Sequence, residues 1–170
     1  PVGVSPAILS DITDDHSPFE FSIAFRGRGA VDVRLLFEPL PAHDPRVSAR
    51  WAAGEKLAEL VASEYGASLA GLRAVADLFR PGDEWARFAM WFAVNVGSRA
   101  SFKIYLNPAA CGPHRASVVV KEALARLGIV DAFFPSLRRG FDAVKYFSLD
   151  LDDNRDGSGP RVKVYFSHRN

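Results

Sequence analysis

A cation set in the middle of an alternating apolar strand occurs three times in this chain, and that repeat limits its fold more than any other feature. The clearest copy runs from Pro160 to His168, where Arg161, Lys163, Tyr165 and Ser167 fall on one face and Val162, Val164 and Phe166 on the other, because successive side chains of a strand point to opposite sides. Phe102-Lys103-Ile104-Tyr105-Leu106 is a near copy, and Val33-Arg34-Leu35-Leu36-Phe37 a fainter one. Arg34, Lys103 and Lys163 recur at roughly 60 to 70 residues, the spacing of a repeated supersecondary unit. The apolar face of each copy needs a hydrophobic layer, whereas the other face lines up cations and phenol rings, a setting for an anion beside an aromatic wall.

Between these copies the chain alternates hairpins with helices. Residues 1 to 17 read as a leading loop. Phe19 to Phe25 and Val31 to Glu38 are two strands joined by a turn at Arg26-Gly27-Arg28-Gly29. Pro39, Pro41 and Pro45 end the hairpin, and the spacing of Val47, Trp51, Leu57, Leu60 and Val61 predicts a helix from about Arg46 to Tyr65, stopped by Gly66. Ser68 is the expected cap of a second helix carrying Leu69, Leu72, Val75, Ala76 and Phe79, which ends at Pro81-Gly82. Phe88, Met90, Phe92, Val94 and Val96 then alternate with Arg87, Ala89, Trp91, Ala93 and Asn95, and after a turn at Gly97 to Arg99 the partner strand is Ser101 to Asn107. His114 to Leu127 predicts a helix with Gly128 as its stop, followed by a shorter segment from Ile129 to Arg138. The third hairpin is Ala143 to Leu151 with Pro160 to His168, and Val144, Tyr146, Ser148 and Asp150 are its expected inward residues on the first strand.

Hairpins imply antiparallel pairing, and helices inserted on one side imply an apolar sheet face under a helical layer. The polar face then looks into a lumen. The expected class is α+β: about six strands in three hairpins forming part of an antiparallel barrel surrounded by helices, with residues 1–170 making a single domain. A formal net charge of +1 supplies no excess of cations for a polyanion, so no nucleic-acid partner is expected. Cys111 is the single cysteine, which precludes an internal disulfide and fits a reducing compartment. With no apolar run near the ~20 residues of a membrane span and no secretory signal, the expected location is cytoplasmic, without a membrane partner.

At these residues the chain resembles the aromatic prenyltransferases of the dimethylallyltryptophan synthase type, whose fold is a ring of repeated α-β-β-α units around an antiparallel barrel (the ABBA fold, or PT barrel). The matching segments are Ser17-Pro18-Phe19-Glu20-Phe21-Ser22, Val33-Arg34-Leu35-Leu36-Phe37-Glu38-Pro39, Lys103-Ile104-Tyr105-Leu106 and Arg161-Val162-Lys163-Val164-Tyr165-Phe166, in family order across nearly the whole chain. The resemblance implies transfer of a dimethylallyl group from dimethylallyl diphosphate to an indole or tryptophan-like aromatic, as small-molecule substrates, by electrophilic aromatic substitution that requires no metal or other cofactor. It implies that Glu20 accepts the indole N–H, that Arg34, Lys103, Arg161 and Lys163 hold the diphosphate, and that Tyr105 and Tyr165 shield the allyl cation. Trp91 and Tyr146 either line the aromatic pocket or fill the lumen.

Two departures accompany the resemblance. Tryptophan-prenylating members carry a lysine on the strand before Lys103, where this chain has Ala89, Trp91 and Ala93 inward. Family members are also much longer, so a partial chain of three repeats is expected, beginning at Pro1 rather than Met. The alternatives are a truncated, non-catalytic remnant that binds a small anionic or aromatic ligand, and a homodimer in which two chains complete one barrel. Asp152-Asp153-Asn154-Arg155-Asp156-Gly157 resembles both a magnesium-binding aspartate motif and the start of an EF-hand loop, but position twelve of the latter is Lys163 and a solvated hairpin turn is expected. The four histidines have no ligand spacing, and no metal site is expected.

Overall fold

Proline and glycine punctuation divides the chain as expected. The computed structural model describes residues 9–25, 31–82, 86–97, 100–129, 143–152 and 159–167. Six strands follow one another as neighbours in a single antiparallel sheet: β1 (Phe19–Phe25), β2 (Val31–Phe37), β3 (Met90–Val96), β4 (Ser101–Leu106), β5 (Ala143–Asp150) and β6 (Val162–Ser167). The sheet curls into a half-barrel, with β1 and β6 at its two edges. The expected turns at residues 26–29 and 98–99, most of the segment 129–138 and nearly all of the Asp152–Gly157 loop lie outside the described residues.

Among the described residues three helices supply the outer layer: α1 (Val47–Tyr65), α2 (Ala70–Phe79) and α3 (Ala116–Arg126), the last entered through a 3-10 turn at Pro113–Arg115. Val47, Trp51, Gly54, Ala58 and Val61 form the buried stripe of α1, spaced by three and four residues. Gly66 ends this helix in the left-handed conformation, φ 69°, and its N–H donates to the Ala62 carbonyl, a role glycine takes without Cβ strain. Ser68 does not cap α2: its own N–H donates to the Leu151 carbonyl, and the helix begins after Leu69 without a side-chain cap. Tertiary pairing thus claims the residue that local pattern assigned to capping.

The core lies between these helices and the outer face of β3 to β5. Phe92, Ile104, Leu106, Phe147 and Leu149 are buried there, with Phe79 of α2 packed on Phe147 at 5.1 Å between ring centroids. The first hairpin differs. Phe19, Phe21, Ile23 and Phe25 of β1, with Val31 and Val33 of β2, are exposed, Phe25 by 83%. Both helices that follow this hairpin pack over later strands, so the expected helical layer does not extend to β1.

Three side chains depart from simple alternation, one of them Ala89, which was expected inward and is buried in the helical core, because regular alternation begins only with β3 at Met90. Val144, expected inward, is buried in the helical core because a β-bulge separates Val144 from Tyr146 and resets the register with β6. Phe88, expected outward, precedes β3 and stacks on the inward Trp91 at 4.0 Å. Asn107 donates a 2.7 Å side-chain hydrogen bond to the Phe88 carbonyl, while its N–H donates to the Ala89 carbonyl.

Candidate active site

The register places the candidate residues in rows across the lumenal face. Glu20 pairs with Leu36, Leu36 with Ala93, Ala93 with Lys103 and Lys103 with Asp150, while the Asp150 N–H donates to the Arg161 carbonyl. The row toward the β3–β4 turn holds Ser22, Arg34, Asn95 and Ser101. On the opposite side lie Trp91, Tyr105, Ser148 and Lys163, then the pair Tyr146 and Tyr165. Period-two alternation therefore brings these predicted lumenal residues to one face, whereas Val144 and Ala89, also expected inward, belong to the helical core.

Arg34, Lys103 and Arg161 lie nearer the β3–β4 turn than the phenols, whereas Lys163 shares a row with Tyr105. Arg34, Lys103, Arg161 and Lys163 line a cleft of about 400 Å³ together with Asn95 and Ser101. Arg34 Nε donates to Asn95 Oδ1 at 2.8 Å, and Asn95 Nδ2 donates to Ser101 Oγ at 3.1 Å, which ties the guanidinium across three strands. Lys103 Nζ lies 2.9 Å from Asp150 Oδ1, a charge contact that lacks hydrogen-bond geometry, and Arg161 reaches the other oxygen at 3.7 Å. Sequence reasoning placed Asn95 and Asp150 inward but assigned neither a role. Their residue types become informative only once register shows which cations they face.

Beside the cations runs an aromatic ladder. Tyr105 and Tyr165 are 5.8 Å apart, Tyr165 and Tyr146 meet edge to face at 6.0 Å, and Tyr146 lies 5.3 Å from Trp91. Burial, and then the neighbouring Tyr165, push the Tyr105 phenol far above its ordinary pKa, so its ring remains neutral. Burial likewise raises Tyr146. Trp91 is buried with its Nε1 outside hydrogen-bond geometry, and the nearby Glu38 carboxyl feels it only weakly. Phe88, Trp91 and Tyr146 form one wall of a larger cavity of about 690 Å³, which Asp11, Lys145 and Ser117 also line.

Glu20 stands apart from this cluster. It is exposed on β1 and makes no hydrogen bond or ion pair among the described residues. The face therefore offers an exposed carboxylate on the edge strand β1, cations on β2, β4 and beside β6, and π surfaces next to them. A cation cluster can take up negative charge developing on a leaving group, and aromatic faces attract a cation while keeping water off it. Among the described residues no three His, Cys, Asp or Glu side chains form a group able to hold a metal, and no helix is long and apolar enough to cross a membrane.

No family model matches the chain, and neither does any curated protein sequence. Solved structures do. The 6-dimethylallyltryptophan synthase from Micromonospora olivasterospora, in complex with DMASPP and Trp, is 36% identical with a TM-score of 0.86, the match covering 96% of this chain and 48% of that one. The prenyltransferase PriB, in a ternary complex with L-tryptophan and dimethylallyl thiolodiphosphate, is 38% identical with a TM-score of 0.81, over 94% of this chain and 44% of its own. The 5-dimethylallyltryptophan synthase from Streptomyces coelicolor is 33% identical with a TM-score of 0.83, over 96% and 46%. The chain spans about half the length of these proteins. In fold and in sequence it corresponds to one half of an ABBA-barrel aromatic prenyltransferase of the dimethylallyltryptophan synthase type.

Proposed function

We propose that this chain carries part of an aromatic prenyltransferase site, which moves a dimethylallyl group from dimethylallyl diphosphate to an indole or tryptophan-like ring. The observation that carries the reading is the row that aligns Glu20, Lys103 and Arg161 across the lumenal face, with Tyr105 and Tyr165 beside it. Arg34, Lys103, Arg161 and Lys163 bind the diphosphate and stabilise its charge as the allylic C–O bond breaks, which makes the step independent of a metal. Tyr105 and Tyr165 cover the allyl cation. Glu20 accepts the ring N–H and raises the nucleophilicity of the aromatic carbon, which attacks the cation and then loses its proton. Trp91 and Tyr146 wall the acceptor pocket.

The test is an assay of the purified chain with dimethylallyl diphosphate and a panel of indoles, with chelator present. Low turnover is expected, reduced about 100-fold or more by Glu20→Gln, a typical loss for one acid-base partner, and abolished by Lys163→Ala. Undiminished product in both variants would refute the assignment. One feature favours a second reading, a non-catalytic remnant: Glu20, Arg161 and Lys163 are open to solvent, and water quenches an allyl cation. Binding of dimethylallyl thiolodiphosphate without turnover of dimethylallyl diphosphate selects it.

A further inference from the structure

The lumenal cation cluster contains its own anion. Asp150 sits opposite Lys103 in the β4–β5 register, and its N–H is pinned to the Arg161 carbonyl at 3.0 Å. Its carboxylate lies 2.9 Å from Lys103 Nζ and 3.7 Å from the Arg161 guanidinium. The Asp150 and Lys103 side chains are only 16% and 11% exposed, so this charge contact is poorly screened, whereas Arg161 is 64% exposed and free to turn. Asp152 also lines the cleft, leaving four cations against two carboxylates.

We propose that Asp150 is a built-in counter-charge that sets the charge threshold of this anion site and so selects a diphosphate over a monophosphate. The inference rests on reading the cleft as the diphosphate site. Without a ligand, Asp150 offsets the repulsion among cations on adjacent strands and holds Lys103 in place. An entering anion must compete with that carboxylate for Lys103 and also bear its repulsion. Inorganic phosphate, with fewer charges and oxygens, gains too little from the remaining cations to do so. A diphosphate also spans to Arg34 and Lys163, and displaces the internal partner. Asp150 is thus a specificity-determining residue that faces the ligand while repelling it.

Isothermal titration with inorganic pyrophosphate and with inorganic phosphate tests this. The wild-type chain is expected to bind pyrophosphate at least about tenfold more tightly than phosphate, one to two units of charge in a partly screened site being worth that much. Asp150→Asn should tighten phosphate about tenfold and narrow the ratio, and Asp150→Glu should restore the wild-type ranking. If Asp150→Asn binds both anions no more tightly than wild type, the inference is overturned. A second measurement is free of any folding defect in the variant: in the structure of the wild-type chain with pyrophosphate, Lys103 should leave Asp150 for the anion, and an unbroken contact would overturn the proposal. Pyrophosphate binding indifferent to both Lys103→Ala and Lys163→Ala would instead overturn the diphosphate reading of the cleft itself.

Discussion

Glu38 is a carboxylate with its side chain wholly out of solvent, where β2 ends. Ser10 Oγ donates to one oxygen and Arg50 of α1 to the other at 3.2 Å. Desolvation nevertheless raises its pKa above the ordinary value of 4.5, outweighing both partners. Below 4.5 the group is protonated whether the chain is folded or not. As pH rises, the unfolded chain releases its proton first, so the contribution of Glu38 to stability is full at acid pH and is lost as pH climbs through the raised folded value. The difference in thermal midpoint between wild type and Glu38→Gln, followed from pH 4 to 8 by circular dichroism, should therefore move against the wild type with rising pH. A constant difference would show that the carboxyl titrates normally. Arg50→Met leaves that charge unpaired and should cost about 3–5 kcal/mol near neutral pH. In the sequence, Glu38 was legible only as the polar end of a strand, because its partners stand 12 and 28 residues away. Lys103, Tyr105 and Tyr165 were legible because alternation alone fixes their face.

At the level of elements, α1 meets β3 at Gly54 with no room for a side chain. A Cβ added there would stand 2.8 Å from Met90 Sδ, and Met90 is fully buried. Helix propensity favours replacing this glycine by up to ~1 kcal/mol, but overpacking costs about 1–3 kcal/mol. Gly54→Val should therefore destabilise the chain to chemical denaturation, and by less when Met90→Ala has already opened the space. An equal cost in both backgrounds would place the strain elsewhere. Helix positions were readable from the three- and four-residue spacing of large apolar residues, whereas this contact was not: a glycine inside a helix does not announce what lies across from it. The bulge at Val144 was hidden for a related reason. Unbroken alternation reads Val144 as lumenal, and only pairing with Phe166, an outer residue, reveals that one extra residue has shifted the face.

Across the whole molecule, the half-barrel leaves apolar surface on the outside of its first hairpin. Phe19, Phe21, Ile23 and Phe25 form a contiguous exposed strip along the edge strand β1. An edge strand with an uncovered apolar face is a template for association. The weight-average mass in sedimentation should accordingly rise with concentration, and Phe21→Ser combined with Ile23→Ser should suppress the rise. A concentration-independent monomer would exclude both nonspecific association and completion of a barrel by a second copy. The repeat of hairpin and helix was legible in sequence at this scale, since each unit carries its own punctuation. Which strands the helices cover was not, because that depends on the direction in which the sheet curls.

The lumenal row also measures length. Glu20 lies on the same transverse line as Lys103, three strand intervals away, which is roughly 14 Å along the sheet at the usual strand spacing. On the proposed chemistry, one substrate pair must bridge that interval, with the heterocycle at the carboxylate and the phosphates at the ammonium. The sheet then acts as a ruler graduated in strands. Because the ring attacks the allyl cation at the point where the diphosphate departs, that interval is set by the acceptor and the phosphates, and a longer isoprenoid tail leaves it unchanged.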